Sequence, residues 1–188
     1  MSKLSAFISQ NRNLCYAMAE ENTQRNSEGR VVISKNDEWR NEKEWDSHYN
    51  RLAGVKNVRK TQMIAEEDQT IQEGEVWFVE FPLEENPDVT INRPVVVLDV
   101  DELKVLSVKI TKHTPRKEDP YDTPIVYWKE AKLNFESTAR ISKTYSLNKD
   151  AFIFKIGTLD TRDMDKVSDL YIKFVKESMR ETSSEEIA

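Results

Sequence analysis

Four consecutive apolar residues behind an Arg-Pro pair, within "INRPVVVLDV" (residues 91–100), constrain the fold more than any other stretch. A run this short, rich in valine and opened by Pro94, reads as a buried strand, because β-branched side chains suit a pleated surface and proline is tolerated at a strand's first positions. Arg93 stands charged at its mouth. It is either a solvated strand-end residue or a guanidinium placed to hold something.

A buried strand needs neighbours, and residues 74–147 offer them. "EVWFVEF" (75–81) sets Val76 and Phe78 against Trp77 and Val79, a strand buried on both faces and ended by Pro82. "LEENPDVTIN" (83–92) is rich in turn formers and reads as a loop. "KVLSVKIT" (104–111) alternates Val105, Ser107 and Lys109 against Leu106, Val108 and Ile110. After the polar loop "KHTPRKEDPYD" (112–122), "TPIVYW" and "STARISKTYSL" supply further strands. The remainder reads as helical. Asn148 is placed to cap "KDAFIFKI" before Gly157, and Asp160 or Thr161 to cap a last helix with Met164, Val167, Tyr171, Phe174 and Val175 on one face. Five or six short strands followed by helices predict an α+β, mainly β protein: a compact barrel-like sheet carrying helices.

Ahead of the sheet, Leu4, Phe7, Ile8, Asn11, Leu14, Cys15 and Met18 recur at helical spacing, predicting one amphipathic helix with Cys15 as a small hydrophobe on it. "EENTQRNSEGR" reads as linker, "RVVIS" as a short strand, and the stretch from about Asp37 to Gly54 as a helix. The division expected is a helical N-terminal extension, 1–72, and a barrel, 73–188. Trp77 and Trp128 are expected in the core.

Composition excludes several classes. Among 188 residues no apolar run approaches the ~18–20 needed to span a bilayer. The N-terminus lacks a long apolar segment and a cleavage site, so a soluble cytoplasmic protein without membrane association is expected. One cysteine and two histidines give neither an internal disulfide nor a zinc constellation, and no metal or cofactor is expected. Residues 1–70 carry 11 basic and 11 acidic side chains, so the net charge of −6 falls on the remainder. An acidic domain is poorly suited to nonspecific duplex binding, which requires many neutralised phosphates, but it can hold a short single strand in a local basic pocket.

No P-loop, GxGxxG, HExxH or GxSxG motif is present. What remains is a set of polar residues at strand ends: Arg93, Thr111 with Lys112 and His113 behind it, and Ser137, Arg140 and Lys143 on a later strand. Ser137 and Lys143 are evenly spaced. Brought together, these ends would form a cationic, hydroxyl-bearing pocket; kept apart, Ser137, Arg140 and Lys143 are the wet face of a half-exposed strand. Arginine suits phosphate because its planar fork donates two parallel hydrogen bonds.

The order of "EGEVWFVEFP", "RPVVVLDV", "VKITKHTPR", "YWKEAKLNFESTARISKTYSL" and "IGTLDTRDM" resembles that of the MazF/PemK toxin ribonucleases over about residues 73–178. The stretch 82–92 departs from that pattern in being acidic and lacking a glycine-rich run. The resemblance implies an SH3-like (plasmid-maintenance toxin) small barrel, a homodimer, a cognate antitoxin, and metal-independent cleavage of single-stranded RNA. In that chemistry the ribose 2′-hydroxyl attacks the adjacent phosphate. Arg93 matches the family's phosphate-facing arginine and Thr111 the threonine or serine beside it. His113 is then a candidate proton carrier, since histidine titrates near pH 6.5, and Arg140, Ser137, Lys143 and Lys112 are candidate RNA contacts.

Antitoxins in such systems lay acidic, aromatic-bearing tails over the RNA site. "NDEWRNEKEWDSHYN" has that character, with five acids, Trp39, Trp45 and Tyr49. Residues 35–50 are therefore expected to bind the barrel in cis, to dock on a partner, or simply to pack as an amphipathic helix. The alternative function is a noncatalytic barrel binding protein or nucleic acid; a scaffold protein is a third class, resting on the unmatched N-terminus alone.

Overall fold

The computed structural model describes residues 1–27, 70–83 and 86–185. The expected strand and helix between residues 30 and 54, and the segment 35–50, lie outside the described residues.

Alternating and apolar runs become six antiparallel strands: β1 (Glu75–Leu83), β2 (Asn86–Val100), β3 (Lys104–Thr111), β4 (Asp122–Ile125), β5 (Ser137–Asn148) and β6 (Phe152–Thr158). Their order in the sheet is β4-β5-β3-β2-β1-β6. Among the described residues two helices, α1 (Lys3–Gln10) and α2 (Arg12–Ser27), precede the sheet, and α3 (Thr161–Glu185) follows it.

Both faces of the sheet are apolar, which is why β1 and β2 read as near-continuous hydrophobic runs. On one face Val76, Phe78, Val96, Leu98, Leu106, Val108, Ile110, Ala139 and Ile141 pack with Leu4, Ile8, Cys15 and Ala19 of α1 and α2. Val167, Tyr171 and Val175 of α3 complete that core, on the face its spacing predicts. The opposite face carries Trp77, Val79, Val95, Val97, Val105, Tyr145, Leu147 and Phe152. The first 27 residues thus share one core with the sheet, so the boundary at 72/73 divides the chain without dividing its core. Trp77 is buried, whereas Trp128 is half-buried against the helix-covered face.

Five expectations are corrected. The N-terminal helix is two helices, because Asn11 ends α1 by donating its backbone N–H to Phe7 and Ile8 carbonyls while its own carbonyl accepts from Cys15 N in α2. Its side-chain amide also bonds Phe7 O at 2.9 Å. Pro82 does not end β1. The β6 ladder stops at Val79, so among the described residues Pro82 pairs on one side only, where a missing N–H is tolerated. The expected loop 83–92 is largely strand, since β2 begins at Asn86. "KDAFIFKI" is a short 3-10 turn, Lys149–Ala151, followed by β6, where Phe152 and Phe154 pair with β1 and pack into the cores on opposite faces of the sheet. Asn148 makes no side-chain cap there. "TPIVYW" is strand only to Ile125.

Two glycines are required by geometry. Gly74 takes φ +82°, a left-handed conformation, while its N–H meets Val97 O at 2.9 Å and its carbonyl accepts from Leu159 N at 2.9 Å. At Gly157 a Cβ would fall on the Ala131 carbonyl. Asp160 caps α3: its carbonyl accepts from Met164 N at 2.9 Å and its carboxylate from Arg162 N at 2.9 Å.

Helix α2 is pinned at both ends. Arg12 and the Tyr16 hydroxyl each reach Asp99 Oδ2 at 2.9 Å, and Arg12 also pairs with Asp101 at 2.8 Å. Further along, Glu20 pairs with Lys104, and Asn22 Nδ2 donates to the carbonyls of Ser142 and Thr144 at 3.2 and 3.0 Å.

Because Ile8 is fully buried in the sheet's own core, Ile8→Ala will destabilise the whole fold by about 2–5 kcal/mol in urea unfolding. Sheet and helix signals will then be lost in a single transition at lower urea. Two transitions would mean that the helices fold as a separate unit.

Candidate functional site

The face carrying Trp77 and Val95 changes character toward one end of the sheet. In β3, Lys109 pairs with Val95 of β2 on one side and with Arg140 of β5 on the other, and Arg140 in turn lies opposite Asp122 of β4. The next row holds Thr111 opposite Thr138, with Pro124 beyond it. The β2–β3 ladder begins at Val95, since Pro94 has no N–H to donate. Carried two residues further, its register sets Arg93 across from Thr111. With strands about 4.8 Å apart, Arg93, Thr111 and Thr138 form one row about 10 Å wide, beside a row of Lys109 and Arg140.

Arg93 is half-buried in β2, opposite Val79. Thr111 is buried, and its hydroxyl oxygen accepts from the backbone N–H of His113 at 3.4 Å, a local turn that holds the histidine beside the threonine. Lys112, between them, places its ammonium 5.2 Å from the centre of the Phe135 ring. Thr111, His113 and Arg140 therefore lie at the end of β3, toward which the β2 register directs Arg93.

Ser137 is not on that face. It neighbours Ala139 by alternation, lies opposite Ile125, and donates its hydroxyl to Phe135 O at 2.8 Å. Lys143 lies in a bulge, so its even spacing from Ser137 carries no information about a shared face. Val108 pairs with Thr144 but Lys109 with Arg140: one step along β3 matches four along β5, leaving Ile141, Ser142 and Lys143 without a partner residue in β3.

The loop between β3 and β4 adds a charge network. Asp122, whose side chain is fully buried, accepts from Arg116 Nε at 2.8 Å, Nη2 at 2.9 Å and backbone N at 3.0 Å, with Arg140 Nε 3.9 Å away. Asp119 takes Arg116 Nη2 and the Ser142 hydroxyl, each at 2.5 Å. Burial alone would raise the Asp122 carboxyl. The Arg116 side chain and backbone donors, with Arg140, overcome that and hold it below the usual carboxylate range. Across the molecule, Tyr121 donates to Glu177 of α3, which with desolvation pushes its phenol up to about 12.

Thr138, Lys109, Asp122 and Arg116 escape the sequence reading. Lys109 is legible in retrospect, two residues before Thr111 on the same alternating face. Thr138 is obscured by the adjacent Ser137, and nothing in "KHTPRKEDPYD" marks which acid turns inward.

Residues 72–174 match the family model described as PemK-like, MazF-like toxin of type II toxin-antitoxin system. The chain belongs to this family, and its six-stranded antiparallel sheet with a C-terminal helix is a MazF-like, mainly β fold. Among solved structures it is similar to an endoribonuclease in complex with its cognate antitoxin from a mycobacterial species, at 12% identity and TM-score 0.44, covering 55% of this chain and 93% of that one. It is similar also to Mycobacterium tuberculosis toxin MazF-mt6, at 18% identity and TM-score 0.41, covering 55% and 96%. No curated protein matches it. No helix among the described residues is long and apolar enough to cross a membrane.

The Asp122 network has a definite pH signature. A carboxyl depressed in the folded state contributes stability above its unfolded pKa, about 3.9, which is lost as pH falls through the folded value. Asp122→Ala will cost roughly 3 kcal/mol at pH 7, the lower end for a broken buried pair because Arg116 is about a third exposed. Urea melts will show that deficit shrinking from pH 5 to pH 2.5; a pH-independent deficit would contradict the assignment.

Proposed function

We propose that this protein is a toxin endoribonuclease that cleaves single-stranded RNA without a metal ion, and that Arg93 and Thr111 are the centre of its site. The observation carrying this reading is Thr111 opposite Thr138 beside the row of Val95, Lys109 and Arg140, a register that, extended two residues along β2, brings Arg93 to Thr111. Family membership supplies the reaction class, since the toxins of this family are endoribonucleases.

In the proposed reaction the ribose 2′-hydroxyl gives up its proton and its oxygen attacks the adjacent phosphorus. The P–O5′ bond breaks, the departing 5′-oxygen takes a proton, and the products are a 2′,3′-cyclic phosphate and a 5′-hydroxyl. The phosphate oxygens gain negative charge in the crowded five-coordinate state. Arg93 meets that charge with a pair of donors, and Thr111 adds a hydroxyl from the next strand. His113, held beside Thr111, is the candidate to move one of the two protons. Lys109 and Arg140 bias the local potential toward an anion within a chain of net −6. Lys112 and Lys143 are proposed as contacts to flanking phosphates. Ser137, turned to Phe135, has no place in this scheme. A cognate antitoxin and a homodimer are proposed as its partners.

Purified full-length protein incubated in EDTA with a long single-stranded RNA will yield fragments ending in cyclic phosphate. Arg93→Ala will slow cleavage about 10²–10³-fold while leaving the unfolding midpoint within a few tenths of molar urea. No cleavage by the wild-type chain would refute the enzyme and favour the noncatalytic barrel.

Control by residues 35–50 belongs to the same proposal. Starting the chain near Glu73 would remove Leu4, Ile8, Cys15 and Ala19 from the core, so regulation is better tested in the full chain. Trp39→Ala with Trp45→Ala will raise the cleavage rate if that segment covers the site. An unchanged rate would exclude autoinhibition by these aromatics.

A further inference from the structure

The bulge in β5 decides which side chains of that strand face the candidate site. Thr138 and Arg140 share a face with Lys109 and Thr111, and Tyr145 shares that face through its pair with Ser107. Thr138 and Arg140 are even-numbered, whereas Tyr145 and Leu147 are odd. In an unbroken strand successive side chains alternate, so Arg140 would lie on the face of Thr144 and Ser146, opposite Tyr145 and Leu147. Inserting Ile141, Ser142 and Lys143 reverses the alternation once. Tyr145 and Leu147 can then fill the apolar cluster around Trp77 while Arg140 stays on the same side of the sheet.

An insertion of this kind takes its hydrogen bonds from outside the β3 ladder. Part comes from the β3–β4 loop: Ile141 N donates to Tyr121 O at 3.0 Å, and the Ser142 hydroxyl donates to Asp119. The Thr144 hydroxyl closes back on Ile141 O at 2.7 Å. The remaining clamp comes from α2, over a hundred residues away in sequence. Both donors of the Asn22 side-chain amide are directed at the bulge, to Ser142 O and Thr144 O. Asn22 is ten residues beyond Arg12, about 15 Å along the helix. Arg12 and Tyr16 fix the other end of α2 to Asp99. The helix therefore bridges the end of β2 and the bulge of β5.

We infer that Asn22 is a positioning residue of the candidate site. Its amide holds the 141–143 bulge, the bulge keeps Arg140 and Lys143 in place for an RNA phosphate, and the N-terminal helices are thereby part of the site's scaffold. The role in RNA binding rests on the function proposed above; the hold on the bulge and on Arg140 does not. It also reaches outside the family match, which begins at residue 72.

The test uses the full chain with Asn22→Ala, Asn22→Asp and, as a control, Tyr16→Phe, which removes one hydrogen bond from the far end of the same helix. Asn22→Asp keeps the size but replaces the donors with acceptors. Amide hydrogen exchange at Ile141, Ser142 and Lys143 is expected to speed up about five- to tenfold in both Asn22 variants. The Arg140 Nε–H resonance should shift in both, and neither signal should move in Tyr16→Phe. Affinity for a single-stranded oligoribonucleotide with methylated, uncleavable 2′-hydroxyls should fall at least threefold in the Asn22 variants alone. Unchanged exchange and an unmoved Arg140 resonance would overturn the inference, as would equal changes in Tyr16→Phe, which would reduce Asn22 to general helix packing. Loosened exchange with unaltered RNA affinity would overturn the positioning role. If the wild-type chain binds no RNA, the proposed function fails, and exchange and the Arg140 resonance still decide whether Asn22 holds the bulge.

Discussion

Strand alternation is the constraint on which this structure depends, and in β5 it is broken by three inserted residues. The sheet has to bury two apolar faces, one under three helices and one around Trp77, while leaving cationic and hydroxyl side chains together at one end. A strand with strict two-residue periodicity cannot place both Arg140 and Tyr145 on the same side. Three extra residues resolve the conflict, with Ile141 N–H and Ser142 O met by a loop and a helix in place of a neighbouring strand.

That solution makes the N-terminal helices structural for a sheet they precede by some fifty residues. Leu4, Ile8, Cys15 and Ala19 complete the larger core, and Tyr171 of α3 packs in the same cluster. The Cys15 thiol and the Tyr171 phenol are both pushed up, chiefly by burial, as befits groups that serve packing. Polar anchors at Asp99, Lys104 and the β5 bulge then fix the helix's direction across β2, β3 and β5.

Electrostatics at the site follow from the same framework. Arg140 is nearly buried and would be costly without compensation; Asp122 lies 3.9 Å away, itself neutralised by Arg116. Asp122 thus offsets part of the Arg140 charge inside the protein, and Arg93 sits half-buried within β2, opposite Val79.

Much of this was readable from the residues. Valine-rich and alternating runs marked β1, β2, β3 and β5, because burial on a sheet imposes a local period. The spacing of Val167, Tyr171 and Val175 marked the last helix for the same reason. Arg93 and Thr111 stood out as polar ends of apolar strands. Sequence could not reveal that "AFIFKI" would pair with β1, because a short apolar run suits a strand or a helix and only a partner chooses between them. Nor could it show that Lys143 would fall in a bulge, or that Asp122 would turn inward toward Arg140, since both depend on how separate strands pair. Local period fixes which residues want burial. Register, set by side chains as far apart as Asn22 and Ser142, decides which of the remaining polar groups meet.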